Sequence, residues 1–213
     1  MNSNHPVFKR TFMASEKPKK KSKKELLFSA AMSIIGERGY AGASVDEIAA
    51  KAGVAKGVVY YYFDSKAALA EQLIKSGLEF LAVRLERAVE PDTTPEEAIT
   101  ALAHEQMRQI EKRRDFAKFL LSEMWHEDRE WRETLNASIE VITALFVREI
   151  ERGQADGHFR QDLNVHFTAQ TIWATFLAGA LNWTVVHPEL DYHKLADDLA
   201  SFALAGLYSQ EEK

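Results

Sequence analysis

Residues 44–63 read SVDEIAAKAGVAKGVVYYYF, and the fold follows from this stretch. Ser44 stands three positions before Glu47, the spacing at which a hydroxyl and a carboxylate cap a helix N-terminus reciprocally. Val45, Ile48, Ala49 and Ala52 then make one apolar face, and Gly53 ends the helix. After Val54 and Ala55 a second short helix fits 56–62. Val59 and Phe63 are four apart and share a face. With Val45, Ile48, Ala49 and Val54 they can close a small core, and the small side chain of Ala49 lets the two helices approach. Two short helices joined by a tight turn make a helix-turn-helix, whose second helix can lie in a DNA major groove. Lys56, Gly57, Val58, Tyr60, Tyr61 and Tyr62 are left to face solvent or a partner.

Working outward, Ser22 and Glu25 repeat the capping spacing. Leu27, Ala30, Ala31, Ile34 and Ile35 recur at helical intervals and Gly39 marks an end, so a first helix spans 23–38 and braces the pair. Downstream, Ser65 opens a long helix over 66–89 that Pro91 stops. Gly77 lies inside it at a cost of about 1 kcal/mol relative to Ala, which points to close packing or a bend. Thr94-Pro95 with Glu97 opens a helix to about 112, and another fits 114–125. Further helices run from Asp128 to near Gly153, from Asn164 to His187-Pro188, and from Asp191 to about Tyr208. No sustained apolar–polar alternation and no repeat period is present. The expectation is an all-α protein of about nine helices. Residues 1–21 form a Lys-rich arm without periodicity, 22–66 a three-helix headpiece, and 67–213 a larger bundle.

Composition narrows the function. The chain has 213 residues and no cysteine, which excludes a disulfide framework, Cys-ligated zinc or iron–sulfur clusters and a cysteine nucleophile. The longest apolar run, Ile172 to Val186, is too short to span a bilayer. The Lys-rich start lacks the apolar core of a secretory signal. A cytoplasmic protein with no membrane partner is expected. Residues 1–75 carry 13 Lys+Arg against 7 Asp+Glu, although the whole chain has a formal charge of −5. A basic first third on an acidic body suggests contact with a polyanion. Lys19, Lys20, Lys21, Lys23 and Lys24 supply much of the excess, so a solvated tail explains part of it.

The stretch resembles the TetR family of transcriptional regulators. Ser44, Val45, Ile48, Ala49, Ala52, Gly53, Val54, Gly57, Tyr60, Phe63, Ser65, Lys66 and Leu69 stand in register with the family pattern, and Ala30 to Tyr40 (AAMSIIGERGY) matches the end of its first helix. The resemblance covers about 22–75. It implies a repressor released from a palindromic operator by a hydrophobic or amphipathic effector. Its partners would be double-stranded DNA, the effector and a second copy of the chain. On this reading Lys56 contacts phosphate or a guanine edge, Gly57 lets the helix backbone approach the groove, and Val58 meets a thymine methyl. Tyr60, Tyr61 and Tyr62 place hydroxyls on phosphates, the alternative being packing against the protein. Ser44 caps its helix and touches phosphate, and Lys66 joins a phosphate at the next helix start. Ala55 and Val58 depart from the family, which often has hydroxyl residues there. The arm either reaches a minor groove or serves as a solubilising tail.

The resemblance also implies a C-terminal domain that binds a small molecule and pairs through its last two helices. His104, Met107, Phe116, Phe119, Leu120, Trp125, Phe146, Trp173, Phe176 and Trp183 are the candidate pocket, with plain core as the competing reading. Ala174, Ala178, Ala200 and Ala203 are the candidate dimer contacts. A cationic effector would use Glu105, Glu123 and Trp125. Two further classes compete. Glu123 and His126 have the Glu-x-x-His spacing of di-iron helices, but a second pair is missing. His104-Glu105 lacks the second histidine of a zinc protease motif, since Arg108 stands there. No nucleophile elbow, P-loop or dinucleotide fingerprint occurs. Catalysis, a metal and a cofactor are therefore not expected. A DNA-binding protein without an effector is the remaining alternative.

Overall fold

The computed structural model describes residues 22–208 apart from 188 and 190; the proposed arm lies outside these residues. Nine helices are present among them. The first three are α1 (Lys23–Gly42), α2 (Val45–Ala52) and α3 (Lys56–Tyr62), and α4 (Lys66–Glu86) leads out of them. The rest are α5 (Pro95–Lys112), α6 (Arg114–Glu123), α7 (Arg132–Ala155), α8 (Val165–Val186) and α9 (Tyr192–Leu207).

Local chemistry sets these boundaries. Ser22, Ser44 and Thr94 each accept from the backbone N–H three residues on, and Glu25, Glu47 and Glu97 reach back to complete capping boxes. Such caps contribute about 1 kcal/mol each. Gly39 breaks the helical path of α1 at φ 73° and ψ 168°. Gly53 closes α2 in the left-handed region at φ 68° and ψ 34°. Asn164 and Asp191 cap α8 and α9 with their side chains. α7 starts at Arg132 rather than near Asp128, because 124–131 form turns.

In the headpiece, Leu27, Ala31, Ile34 and Ile35 of α1 bury against Ile48, Ala49, Val59 and Phe63. Phe28 stacks on Phe63 with ring centroids 5.6 Å apart. In the body, α5 is central and packs on α4, α6, α7, α8 and α9, while α7 lies against α4 and α8.

Helix α6 wedges between the two parts. A Cβ on Gly36 of α1 would lie 2.5 Å from Cβ of Asp115. A Cβ on Gly77 of α4 would lie 2.2 Å from Cζ of Phe116. Two consecutive α6 residues therefore occupy space that two glycines leave open, which is the reason for the glycine inside α4.

A second tie joins α1 to the α6–α7 turn. Tyr40 packs edge-on to the buried Trp131 at 4.7 Å. Lys66 Nζ lies 4.1 Å over the Tyr40 ring, and the Arg129 guanidinium 5.1 Å from it.

Candidate nucleic-acid interface and effector cavity

Helix α3 buries Val59 and presents the rest. Tyr61 is 81% exposed, Tyr60 48% and Tyr62 37%. The Tyr61 and Tyr62 rings meet edge to face at 5.1 Å. Gly57 is exposed, its φ is ordinary, and an added Cβ would meet nothing within 4 Å. Neither backbone strain nor internal packing asks for glycine there, so the room it leaves serves whatever lies outside. Lys56 Nζ lies 2.9 Å from a carboxylate oxygen of Asp46, and the hydrogen bond to that carboxylate pushes the ammonium pKa up. The exposed face of α3 thus combines a cation, a glycine gap and three phenol rings.

Three expected contacts are wholly or partly engaged elsewhere. Lys66 Nζ donates to the carbonyls of Tyr40 and Ala43, both at 2.9 Å. It ties down the end of α1 and is not free for a phosphate. Val58 is half-buried against the headpiece core, which limits its reach into a groove. Ser44 is half-buried and donates to Glu47 at 2.8 Å while capping α2.

The body contains an apolar cavity of about 30 Å³ under α4, α5, α6 and α8. Phe80, Leu81, Ile110, Ala117, Leu120, Trp173 and Leu177 line it, with the amides of Gln106 and Gln109. Gly77, Arg113 and Phe116 also border a larger cleft of about 690 Å³ between α1, α4 and α6. Lys112, Arg113 and Arg114 run along that cleft, with Glu25, Glu111 and Asp115 also on its wall. The Arg113 guanidinium sits 3.8 Å over the Phe80 ring, and burial pushes its pKa down. The Phe116 ring on Gly77 and the Arg113–Phe80 stack together close the cavity toward the cleft.

Of the expected pocket residues, Phe116, Leu120 and Trp173 come together at this cavity. Met107, Phe119, Phe146 and Phe176 are buried core, with Phe146 and Phe176 in an edge-on pair at 6.0 Å. Trp125 is 78% exposed at the end of α6, and Trp183 is 46% exposed with its ring 4.3 Å from His187. Both lie on surfaces, at or near helix ends, where periodicity does not assign a face. His104 bonds to Asp197 at 2.7 Å beside the His193 ring, away from the cavity.

The cation-cage reading fails on the same geometry. Burial would raise the Glu105 carboxyl, but hydrogen bonds from Arg84, Arg108 and Gln109 outweigh it and hold the pKa below the ordinary range. Glu123 is taken by Arg129 at 2.8 Å, and His126 is exposed. Among the described residues no group of three or more His, Asp or Glu could hold a metal ion. No described helix is long and apolar enough to cross a membrane.

The outer face of α8 and α9 carries an apolar patch with threonines along it. Phe167, Ala178 and Val186 are exposed on α8, and Phe202, Ala205 and Gly206 on α9. Ala174 is half-buried, whereas Ala200 and Ala203 are buried within their own bundle. These last two are therefore internal packing positions. Ala203 nevertheless lies on the wall of the groove that Phe167, Phe202, Ala205 and Gly206 also line.

Two family models cover nearly all of the described chain. "Bacterial regulatory proteins, tetR family" matches residues 22–73, and "Tetracyclin repressor-like, C-terminal domain" matches 92–207. The chain belongs to the tetR family of bacterial regulatory proteins. Among curated relatives, the fatty acid metabolism regulator protein of Bacillus subtilis is 22% identical over 90% of this chain and 98% of its own length. The transcriptional repressor KstR2 of Mycolicibacterium smegmatis is 28% identical over 90% and 94%. Among solved structures, the fatty acid degradation regulator FadR of Bacillus halodurans superposes with a TM-score of 0.79 at 26% identity, covering 89% of this chain and 98% of that one. FadR of Bacillus subtilis, in complex with stearoyl-CoA, has a TM-score of 0.77 at 22% identity over 86% and 98%.

This chain is thus a helix-turn-helix transcriptional regulator of the tetR family, and repressors stand among its relatives. Members bind operator DNA and small-molecule effectors. The cavity residues that sequence reading missed are Gly77, Phe80, Leu81, Gln106, Gln109, Ile110, Arg113, Ala117 and Leu177. Gly77 alone carried a signal, as a glycine inside an otherwise good helix.

Proposed function

We propose that this TetR-family protein acts in the cytoplasm as a homodimer. Its two α3 helices would read an operator of two half-sites, and an amphipathic anionic acyl compound, a coenzyme A thioester foremost, would release it. Residues 22–66 would serve as the DNA-binding headpiece and 67–213 as the effector and dimer domain. Lys56, Gly57, Tyr60, Tyr61 and Tyr62 would form the operator face, with Ser44 at its edge. The exposed apolar patch on α8 and α9 supports pairing between two copies. Aligned recognition helices in such dimers lie one DNA turn apart, about 34–36 Å.

The observation that carries the effector reading is the contact between cavity and cleft. An apolar cavity shares Gly77, Arg113 and Phe116 with a cleft edged by Lys112, Arg113 and Arg114. The apolar part of an amphipathic ligand suits the first, and its phosphates suit the second. The stearoyl-CoA bound by a structural relative has both parts. Space of about 30 Å³ holds a water or two, so an acyl chain must displace Phe116 and Arg113 to enter. That displacement moves α6, which also contacts α1 at Gly36. Binding is then tighter in the state with α6 displaced, which is the condition for any ligand to shift operator affinity.

The test is fluorescence anisotropy of the chain on its own upstream DNA and on scrambled DNA, across a salt series. Acyl-CoA thioesters and free fatty acids are then added at constant salt. Sequence-dependent binding that thioesters abolish supports the reading. Thioester binding that leaves operator affinity unchanged overturns the release mechanism.

A further inference from the structure

The wall of the cavity includes residues with buried polar groups. On the side away from the cleft the cavity is lined by Gln106 and Trp173, which are 1% and 0% exposed. Gln106 Nε2 donates to the Trp173 carbonyl at 3.4 Å, which fixes the orientation of the amide. Gln106 Oε1 and Trp173 Nε1 have no hydrogen-bond partner. Gln109, the other amide on the wall, is already used by Glu105. One orphan acceptor and one orphan donor thus belong to two residues on the wall of the same small cavity. A wall that only had to pack would carry leucine and phenylalanine, which leave nothing unsatisfied.

We propose that the apolar part of the effector carries a hydroxyl group, seated between Gln106 and Trp173. The hydroxyl donates to Gln106 Oε1 and accepts from Trp173 Nε1–H, and it is the smallest group that does both. A ketone serves only the indole. A methyl end serves neither atom, and a carboxylate would bring an unpaired charge into the cavity. This assignment rests on the effector cavity proposed above and names the chemistry of its deep end. A hydroxylated acyl or ring compound is preferred over a plain saturated chain.

The experiment is calorimetric titration of the full-length chain with octanoyl-, dodecanoyl- and hexadecanoyl-CoA, each unsubstituted and as its ω-hydroxy form. The length series finds the depth of the two polar atoms. At the length that reaches them, the hydroxy form binds roughly tenfold to a hundredfold more tightly than its plain counterpart. Gln106→Leu brings the two to parity and leaves plain-chain binding equal or stronger, an outcome that misfolding cannot produce. Trp173→Phe narrows the difference in the same direction. Plain chains that bind as well at every length overturn the proposal, as would happen if a fixed water already served both atoms. So does a hydroxyl preference that survives both substitutions. If plain thioesters bind and release DNA without any preference, only the hydroxyl assignment falls. If neither series binds, the cavity reading falls and takes this assignment with it.

Discussion

Two surfaces of the molecule expose large aromatic side chains, and they differ in what the rings carry. The α3 face shows Tyr60, Tyr61 and Tyr62 with Lys56 and a glycine gap, so every ring has a hydroxyl tip. The α8–α9 face shows Phe167 and Phe202 among alanine and glycine, with no polar tip on either phenylalanine. Equal exposure therefore has two meanings. Rings with polar tips and a cation suit a phosphate backbone, where one end must stay hydrogen-bonded. Bare rings among small residues suit another apolar helix pair.

The strongest way to break this comparison is to charge the second face. The double substitution Phe167→Glu and Phe202→Glu is expected to give monomers by light scattering. Operator affinity falls by roughly 10²–10⁴, the advantage of linking two binding modules. Monomers that keep full operator affinity would remove the link between this face and DNA binding. Next in size, Gly57→Leu fills a space that nothing inside the protein uses. Thermal stability holds or rises through better helix propensity, while operator affinity drops by roughly a hundredfold, the scale of a lost base contact. Unchanged affinity would place the α3 face away from DNA.

In the proposed release mechanism the cavity acts on the headpiece through α6, and Gly77→Ala tests that route. Its Cβ would fall between 2.2 and 2.9 Å from three Phe116 ring atoms, so the ring must move. Stability is expected to fall by about 1–3 kcal/mol. Operator affinity falls several-fold without effector, since the substitution copies the displaced wedge. Anisotropy with the stability loss but unchanged operator binding would rule out α6 as the route.

Smaller effects sharpen the picture. The hydrogen bonds that outweigh burial at Glu105 make its folded pKa lower than its unfolded one, so its ionised form stabilises the fold. That contribution is complete above the ordinary carboxylate range and is lost as pH falls through it toward the lowered value. Glu105→Gln is expected to flatten the acid limb of a denaturation–pH profile. Finally, Lys56→Met should reduce the slope of log affinity against log salt by about 1 while leaving the sequence preference in place.

The headpiece was legible because each local signal has a single cause. Ser22 and Ser44 are followed at the right distance by glutamates, and Gly39 and Gly53 stand where a positive φ is needed. The site was legible less evenly. Exposure of Tyr61 and burial of Val59 follow from a seven-residue helix with one core face. Lys66 was misplaced because its partners, the carbonyls of Tyr40 and Ala43, come from a helix more than twenty residues earlier. Trp125 and Trp183 sit at helix ends, where an apolar residue has no periodic neighbours to fix its face. Ala200 and Ala203 show that small residues permit close packing without saying against what. Arg113 and Gln106 carry no pattern at all, since their place on the cavity is set by how α5 packs on α4 and α8.

The paired glycine sockets for α6 bear on how such a repressor can be rebuilt. Gly36 belongs to the headpiece and Gly77 to the helix that leaves it, yet both receive consecutive residues of α6 in the larger bundle. The headpiece is therefore not an interchangeable module. A chimera that joins a new DNA-reading unit to this body must keep a residue without a side chain opposite Asp115, or its regulation will be severed even though both halves fold.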